Sequence, residues 1–416
     1  METSFDAIII GAGPAGSSAA ILLARAGWSV ALVEKQIFPR RKVCGECIAA
    51  SNLPLLEALG IGLAFERAAG SELRHVALMR GERTVVAELP PASHPNYPWG
   101  RALGRETLDT LLLEEALAAG AQVFQPWTVK ALQGGAGAWC CKLRGADAGE
   151  SLTLRAPVAI AAHGSWESLP SERPPRRGRR SGADLLAFKA NFRGAALQEG
   201  LLPVLCFDGG YGGMVVADGG VTTVACCVRR DRLEAWRRAS PGTNAGEAVE
   251  AMLRRECAGV QRALRPASRD GPWLSAGPLD PGVRLSANDG LLRIGNAAGE
   301  AHPIIGEGMS MALQSASLLC AQLLRSERRA ELSAVAWQRE VSRRYCMQWR
   351  HHFAPRLRLA SAFAQLAMRP RGAAALIALV SAWPAVLTLG ARWGGKTRGV
   401  PAPFTPMQTT FPRGTP

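Results

Sequence analysis

Short apolar runs set off by glycine dominate the start of the chain. Residues 7–10 are Ala-Ile-Ile-Ile, the continuous apolar pattern of a strand buried on both faces. Ser17 to Ala26, rich in Ala and Leu, reads as a helix that Gly27 stops. Trp28 to Val33 is a second apolar strand, closed by Glu34. Further strands are predicted at Val158–Ala162 and Gly290–Ile294, the latter followed by a helix from about Met311 to Leu324. Residues 70–97 and about 181–270 alternate β-like runs with turns, which predicts a mostly antiparallel sheet. Near the C-terminus, Ala373 to Ala391 is a stretch of 19 uncharged residues between Arg369, Arg371 and Arg392. It meets the length of a membrane span, but Trp383-Pro384 interrupts it. Two short helices, packed on the body or dipped into one leaflet, are favoured over a span. Residues 400–416, rich in Pro and Thr, read as a frayed tail.

Composition narrows the classes. The 416 residues are 48% hydrophobic and 20% charged, which excludes global disorder and leaves room for two or three domains. Net charge is +15, carried by 43 Arg and only six Lys, scattered without aromatic interleaving. A nucleic-acid platform is therefore not expected, and an anionic membrane or acidic partner suits the charge better. The run Arg173-Pro-Pro-Arg-Arg-Gly-Arg-Arg180 reads as a solvated crossover or an anionic docking patch. No basic, apolar leader precedes the first strand, so the ten Cys are expected to be reduced thiols in the cytoplasm. Cys140-Cys141 and Cys226-Cys227 lie in strand-like runs, where neighbours face opposite sides, so they read as core residues.

The candidate chemistry begins between the first two strands. Gly11-Ala12-Gly13-Pro14-Ala15-Gly16 joins strand to helix, and Glu34 follows 23 residues after Gly11. Gly11 permits the tight turn, Gly13 lets backbone approach a pyrophosphate, and Gly16 lets helix pack on strand. The helix N-terminus offers free N–H groups to phosphate, and Glu34 can accept from ribose hydroxyls. An acid at that strand end favours NAD or FAD over NADP.

A second segment runs Gly295-Asn-Ala-Ala-Gly-Glu-Ala-His302-Pro303-Ile-Ile-Gly306-Glu-Gly308-Met309-Ser310. It resembles the GDxxHxxxPxxGxG region of flavoprotein monooxygenases of the p-hydroxybenzoate hydroxylase type, and more so the geranylgeranyl reductase group and the flavin halogenases. Lys42-Val-Cys44-Gly45-Glu46 and Arg105, followed by Asp109 and Leu112, match further stretches of these relatives. The resemblance covers roughly residues 5–330 and implies FAD as cofactor. Gly11, Gly13, Pro14, Ala15, Gly16, Glu34 and Lys35 would then serve its adenosine end, with Arg105 at the middle and Cys44 in a loop that contacts the flavin. Asn296, Pro303, Gly306, Gly308 and Met309 would lie near the flavin, and His302 is the candidate acid–base residue. The helix starting near Ser310 would aim its positive end at the flavin edge that becomes anionic on reduction.

Three positions depart from the family. Asn296 replaces an Asp, removing a charge. His163-Gly164 stands for an Asp-Gly tied to NADPH handling, which puts direct NADPH use in question. The strand around Tyr211-Gly-Gly-Met214 has glycines where the reductases are aromatic, which leaves room for a bulky flat substrate or merely marks a hairpin.

Cys44-Gly-Glu-Cys47 is a CxxC, so a redox disulfide stays open; a metal site lacks a second ligand pair, and none is expected. The halogenase reading is weak, because no Lys lies between Lys42 and Lys130 and WxWxIP is absent. The expectation is an α/β fold: a Rossmann-type FAD-binding domain, an interleaved antiparallel substrate sheet and a C-terminal helical tail. FAD-binding parts are placed at 1–70, 98–180 and 276–330, substrate-domain strands at 71–97 and 181–275, helices at 331–399 and the tail at 400–416. The expected activity is that of an FAD-dependent oxidoreductase, monooxygenase-like, on a hydrophobic polyketide, quinone or isoprenoid-type molecule. NADPH or NADH is the candidate donor. A flavin-dependent alkene reductase and a non-catalytic FAD-binding partner are the alternatives. Peripheral contact with the inner face of a membrane would run through the C-terminal helices.

Overall fold

The computed structural model describes residues 2–147, 149–165, 169, 181–239, 242–286, 289–325 and 333–393. The basic run 173–180 and the tail 400–416 lie outside the described residues.

Five parallel strands form the nucleotide-binding sheet, in the order Leu292–Arg293, Val158–Ala161, Ala7–Ile10, Val30–Val33, Gln122–Phe124. Its central strands are buried at every position, as a sheet covered on both faces demands. Alternate residues divide between two cores. Ile9, Leu32 and Ile160 pack against the helices Pro14–Arg25, Arg105–Ala118 and Gly308–Leu323. Ile8, Val33 and Ala161 pack against a four-stranded sheet built from Glu2–Ser4, Ser151–Ala156, Ala138–Arg144 and Thr128–Gly135.

The second unit is a seven-stranded sheet ordered Ser268–Ala276, Leu185–Arg193, Thr222–Arg229, Gly210–Val216, Leu201–Phe207, His75–Arg80, Arg83–Glu88. It is antiparallel except where Leu201–Phe207 runs parallel to His75–Arg80. The segment 181–275 departs from the expected run of strands. It also holds the helices Arg230–Ala239, Ala245–Glu256 and Ala258–Leu264, which cover one face through Leu233, Val249, Met252 and Val260. Asn244 and Glu247 cap the second of these reciprocally. Cys226 and Cys227 face opposite cores, as adjacent strand residues must.

The helix Ala334–Ala367 ties the two units together. Trp337, Val341, Tyr345, Trp349 and Phe353 pack on the nucleotide unit, whereas Ala364 and Ala367 pack on the free face of the seven-stranded sheet. The helices Pro370–Ala382 and Ala385–Trp393 follow on that same face, bent by 111° at Trp383-Pro384. Burial of Leu376, Ile377 and Val380 there contributes about 1.5–3 kcal/mol each. No single described helix is long and apolar enough to cross a membrane.

Candidate active site

Gly11 has φ of 103°, and a Cβ there would sit 2.6 Å from the Ala162 carbonyl oxygen. A Cβ on Gly16 would lie 1.8 Å from the Gly11 carbonyl oxygen. Both glycines are thus required by chain packing. Gly13 differs: a Cβ there would meet only the Arg105 guanidinium, at 3.7 Å. The space above Gly13 is kept open at a helix N-terminus, where an anion is favoured.

That space belongs to one cavity of about 790 Å³, which also reaches Asn296. Gly11, Pro14, Ala15, Glu34, Lys35, Cys44, Arg105, Pro303, Gly306, Gly308 and Met309 line it as well. Two residues assigned from the sequence do not. Gly16 is a packing position under the turn, and His302 stands behind the wall.

At the nucleotide end, the buried Glu34 accepts the Ala12 N–H and the Gln36 N–H, each at 3.0 Å. Each carboxylate oxygen retains a lone pair for a further donor. Arg105 forks onto Asp109 with two bonds of 2.7 Å. Burial works against the Arg105 charge, but Asp109 more than offsets it and raises the pKa. Arg40 approaches Glu34 at 3.7 Å and Asp109 at 3.3 Å, and its buried Nε has no hydrogen-bond partner among the described residues. Arg40 lines the cavity together with Gly13 and Arg105, and a guanidinium there suits a pyrophosphate oxygen. The sequence reading passed over Arg40, although it stands two residues before the Lys42 that opens the recognised stretch.

Glu46 secures the middle of the cavity. It takes the left-handed conformation, φ 57°, rare for a residue with a side chain. Its carboxylate accepts the Arg105 N–H at 2.8 Å and the Thr223 hydroxyl at 2.5 Å, and pairs with Lys189. Cys44 Sγ accepts the Glu46 N–H at 3.4 Å and interacts with the Arg105 side chain. Cys44 and Cys47 are not joined in a disulfide, and Cys47 is buried in the short strand Cys47–Ile48, so the redox disulfide is not formed here.

At the other end, Asn296 Nδ2 donates to Ser165 Oγ at 2.8 Å, and Ser165 donates to Glu300 at 3.0 Å. Arg284 holds Glu300 at 3.0 Å and the Asn296 carbonyl at 2.9 Å. Gly306, with φ 63°, turns the chain into the helix Gly308–Leu323. A Cβ on Gly308 would meet nothing within 4 Å, so a flat ring can approach its backbone. His163 and Gly164 line the cavity on the facing loop.

Beyond this end the wall becomes aliphatic. Val76, Leu78, Ala187 and Val204 of the seven-stranded sheet face Leu376, Val380, Val386 and Leu387 of the C-terminal helices. Gly212 and Gly213 line it too, in a strand, with the hairpin turn lying just before them. Tyr211 lines it too, with its hydroxyl directed away from the cavity. Its hydroxyl lies 3.1 Å from His302 Nδ1. Burial lowers the His302 pKa, which keeps the imidazole neutral, and raises that of Tyr211. Burial also pushes the Cys227 thiol up to about 12. Among the described lining residues the lysines are Lys35 and Lys42, and Lys42 Nζ lies beside Gly164.

Comparison with known proteins agrees with this geometry. Residues 4–335 match the family model described as FAD binding domain. The chain is 26% identical over 364 residues to conditioned medium factor receptor 1 of Dictyostelium discoideum, covering 81% of this chain and 67% of that protein. It is 34% identical over 128 residues to menaquinone reductase of Mycobacterium tuberculosis, covering 30% of this chain and 29% of the relative. The structure of the myxobacterial chondrochloren halogenase shares the fold with a TM-score of 0.71 at 22% identity, covering 85% of this chain and 81% of that one. A glycine turn at a helix N-terminus, a buried acid at the next strand end and the open Gly308 thus line one cavity in a chain that matches the FAD binding domain model over most of its length, and the chain belongs to that family of FAD-dependent oxidoreductases.

Proposed function

We propose a monooxygenase-like reaction on a hydrophobic polyketide, quinone or isoprenoid-type molecule. The observation that supports it most is continuity: one cavity runs from Gly13 past Asn296 and Gly308 into the aliphatic chamber. A substrate in that chamber would meet the flavin end of a cofactor laid along the cradle. Bound FAD would supply the redox chemistry, with NADPH or NADH as the donor to try first.

The chain's own residues supply the rest. Arg40, Arg105 and the N–H groups after Gly13 would hold the pyrophosphate, and Glu34 the adenosine ribose. Asn296, held through Ser165 and Glu300, would contact the ribityl chain. The N-terminus of Gly308–Leu323 favours negative charge at the ring edge. The aliphatic walls exclude water and bind an apolar substrate. Halogenation is not proposed, because no Lys lies between Lys42 and Lys130 and WxWxIP is absent.

Alkene reduction is the second reading. It draws on the likeness to menaquinone reductase and on the same apolar chamber. Reduced, FAD-loaded protein is given a polyprenyl quinone under isotopically labelled dioxygen, and the product is weighed. Gain of one labelled oxygen is expected. Gain of two hydrogens in the polyprenyl chain, after reoxidation of any quinol and without label, would replace oxygenation with alkene reduction.

A further inference from the structure

The two short C-terminal helices have two different faces. Leu376, Val380, Val386 and Leu387 point into the cavity. On the outside, Leu379 is 41% and Trp383 64% exposed, at the 111° bend. Arg369, Arg371 and Arg392 are exposed around this apolar tip. The sequence is strongly biased here: after Glu340 there are ten Arg and one Lys, and no Asp or Glu. Apolar side chains at a bend within a wholly cationic segment match the chemistry of an anionic lipid surface. The described helices are too short to span one singly, so they would lie in the interface.

We infer that the bent pair Pro370–Ala382 and Ala385–Trp393 docks on an anionic bilayer surface, with Leu379 and Trp383 inserted and the wall of the apolar chamber facing the lipid. The docking is read from exposure and charge; its purpose, admission of a lipid-dissolved substrate, rests on the reading above. Arginines would draw the chain to the surface, and the apolar tip would hold it there.

The test is flotation of the FAD-loaded full chain with vesicles of phosphatidylcholine alone or mixed with phosphatidylglycerol. Binding to the mixed vesicles is expected to exceed binding to neutral ones by about tenfold or more, and to weaken with salt. Leu379→Ser with Trp383→Ser should lower it by about tenfold or more, with FAD content unchanged. Arg369→Gln with Arg371→Gln, which spares the apolar tip, should lower binding and its salt dependence. Equal binding of the serine variant and the wild type would overturn insertion. So would failure to bind either vesicle, or a dimer that the serine substitutions dissolve, since a second copy would then cover the face. Because flotation needs no turnover, vesicle binding without any reaction would sink only the catalytic reading. Turnover of detergent-dispersed substrate without vesicle binding would sink only the docking.

Discussion

Glu46 and Lys189 form an ion pair across the boundary between the two units, each side chain 2% exposed. Glu46 follows the nucleotide-binding strands, and Lys189 lies in the strand Leu185–Arg193 of the seven-stranded sheet. The same carboxylate holds Thr223 and the Arg105 N–H, so one residue fixes the sheet against the cofactor cradle.

Removing one member of this pair leaves the other charge buried. Lys189→Met is therefore expected to cost about 3–5 kcal/mol in urea unfolding. Adding Glu46→Gln to that variant should restore much of the loss, because no bare charge remains. A double variant as unstable as the single one would show that shape, and not charge, is the problem.

Gly13 and Gly16 separate two roles that look alike in a motif. Gly16→Ala puts a methyl group 1.8 Å from the Gly11 carbonyl oxygen, so the turn must distort and the protein should express poorly or unfold early. Gly13→Ala meets only the Arg105 side chain at 3.7 Å and should fold normally. Its methyl group would occupy ligand space, and FAD affinity should fall by about tenfold or more. Thermal unfolding of the apoprotein and FAD titration by fluorescence quenching read the two effects apart.

Glu34 and Arg40 make a similar pair around the cofactor. Glu34→Ala removes a charged acceptor, a loss of about 1.5–3 kcal/mol in FAD binding, or roughly ten- to hundredfold. Arg40→Met should weaken FAD by a comparable factor but leave riboflavin binding, which has no pyrophosphate, nearly unchanged. Equal losses for FAD and riboflavin would place Arg40 away from the phosphates.

What the sequence disclosed and what it concealed follow from distance along the chain. Gly11, Gly13 and Glu34 were legible because a turn, a helix start and a strand end require them within one short unit. The Trp383-Pro384 break was legible because proline acts locally. Arg40 was not, since its function depends on where a long side chain reaches, between Glu34 and Asp109. Lys189 lies 143 positions from Glu46, and no local pattern joins them. His302 carried a familiar motif position, yet the fold turns it toward Tyr211 behind the cavity wall. The helices between Arg230 and Leu264 were masked by the β-rich runs on either side. Their signal was present in Asn244 with Glu247 and in the helical spacing of Val249, Met252 and Leu253.

Acid should loosen the fold through the buried His302 and the half-buried His352. Burial holds His302 below its ordinary pKa of 6.5, and burial with His351 and Arg356 does the same to His352. The unfolded chain therefore takes up these protons first as pH falls. The stability they contribute is fully present above about 6.5 and is lost as pH drops through the lower folded values. Urea unfolding at a series of values from about pH 7.5 to 5.5 should show a declining free energy. His302→Gln keeps a hydrogen-bonding partner for Tyr211 but cannot titrate, so its decline should be shallower than that of the wild type. An identical slope in the variant would mean that His302 titrates alike in the folded and unfolded chain, and a steeper decline would mean that it is protonated in the folded protein, with Tyr211 accepting the imidazolium proton.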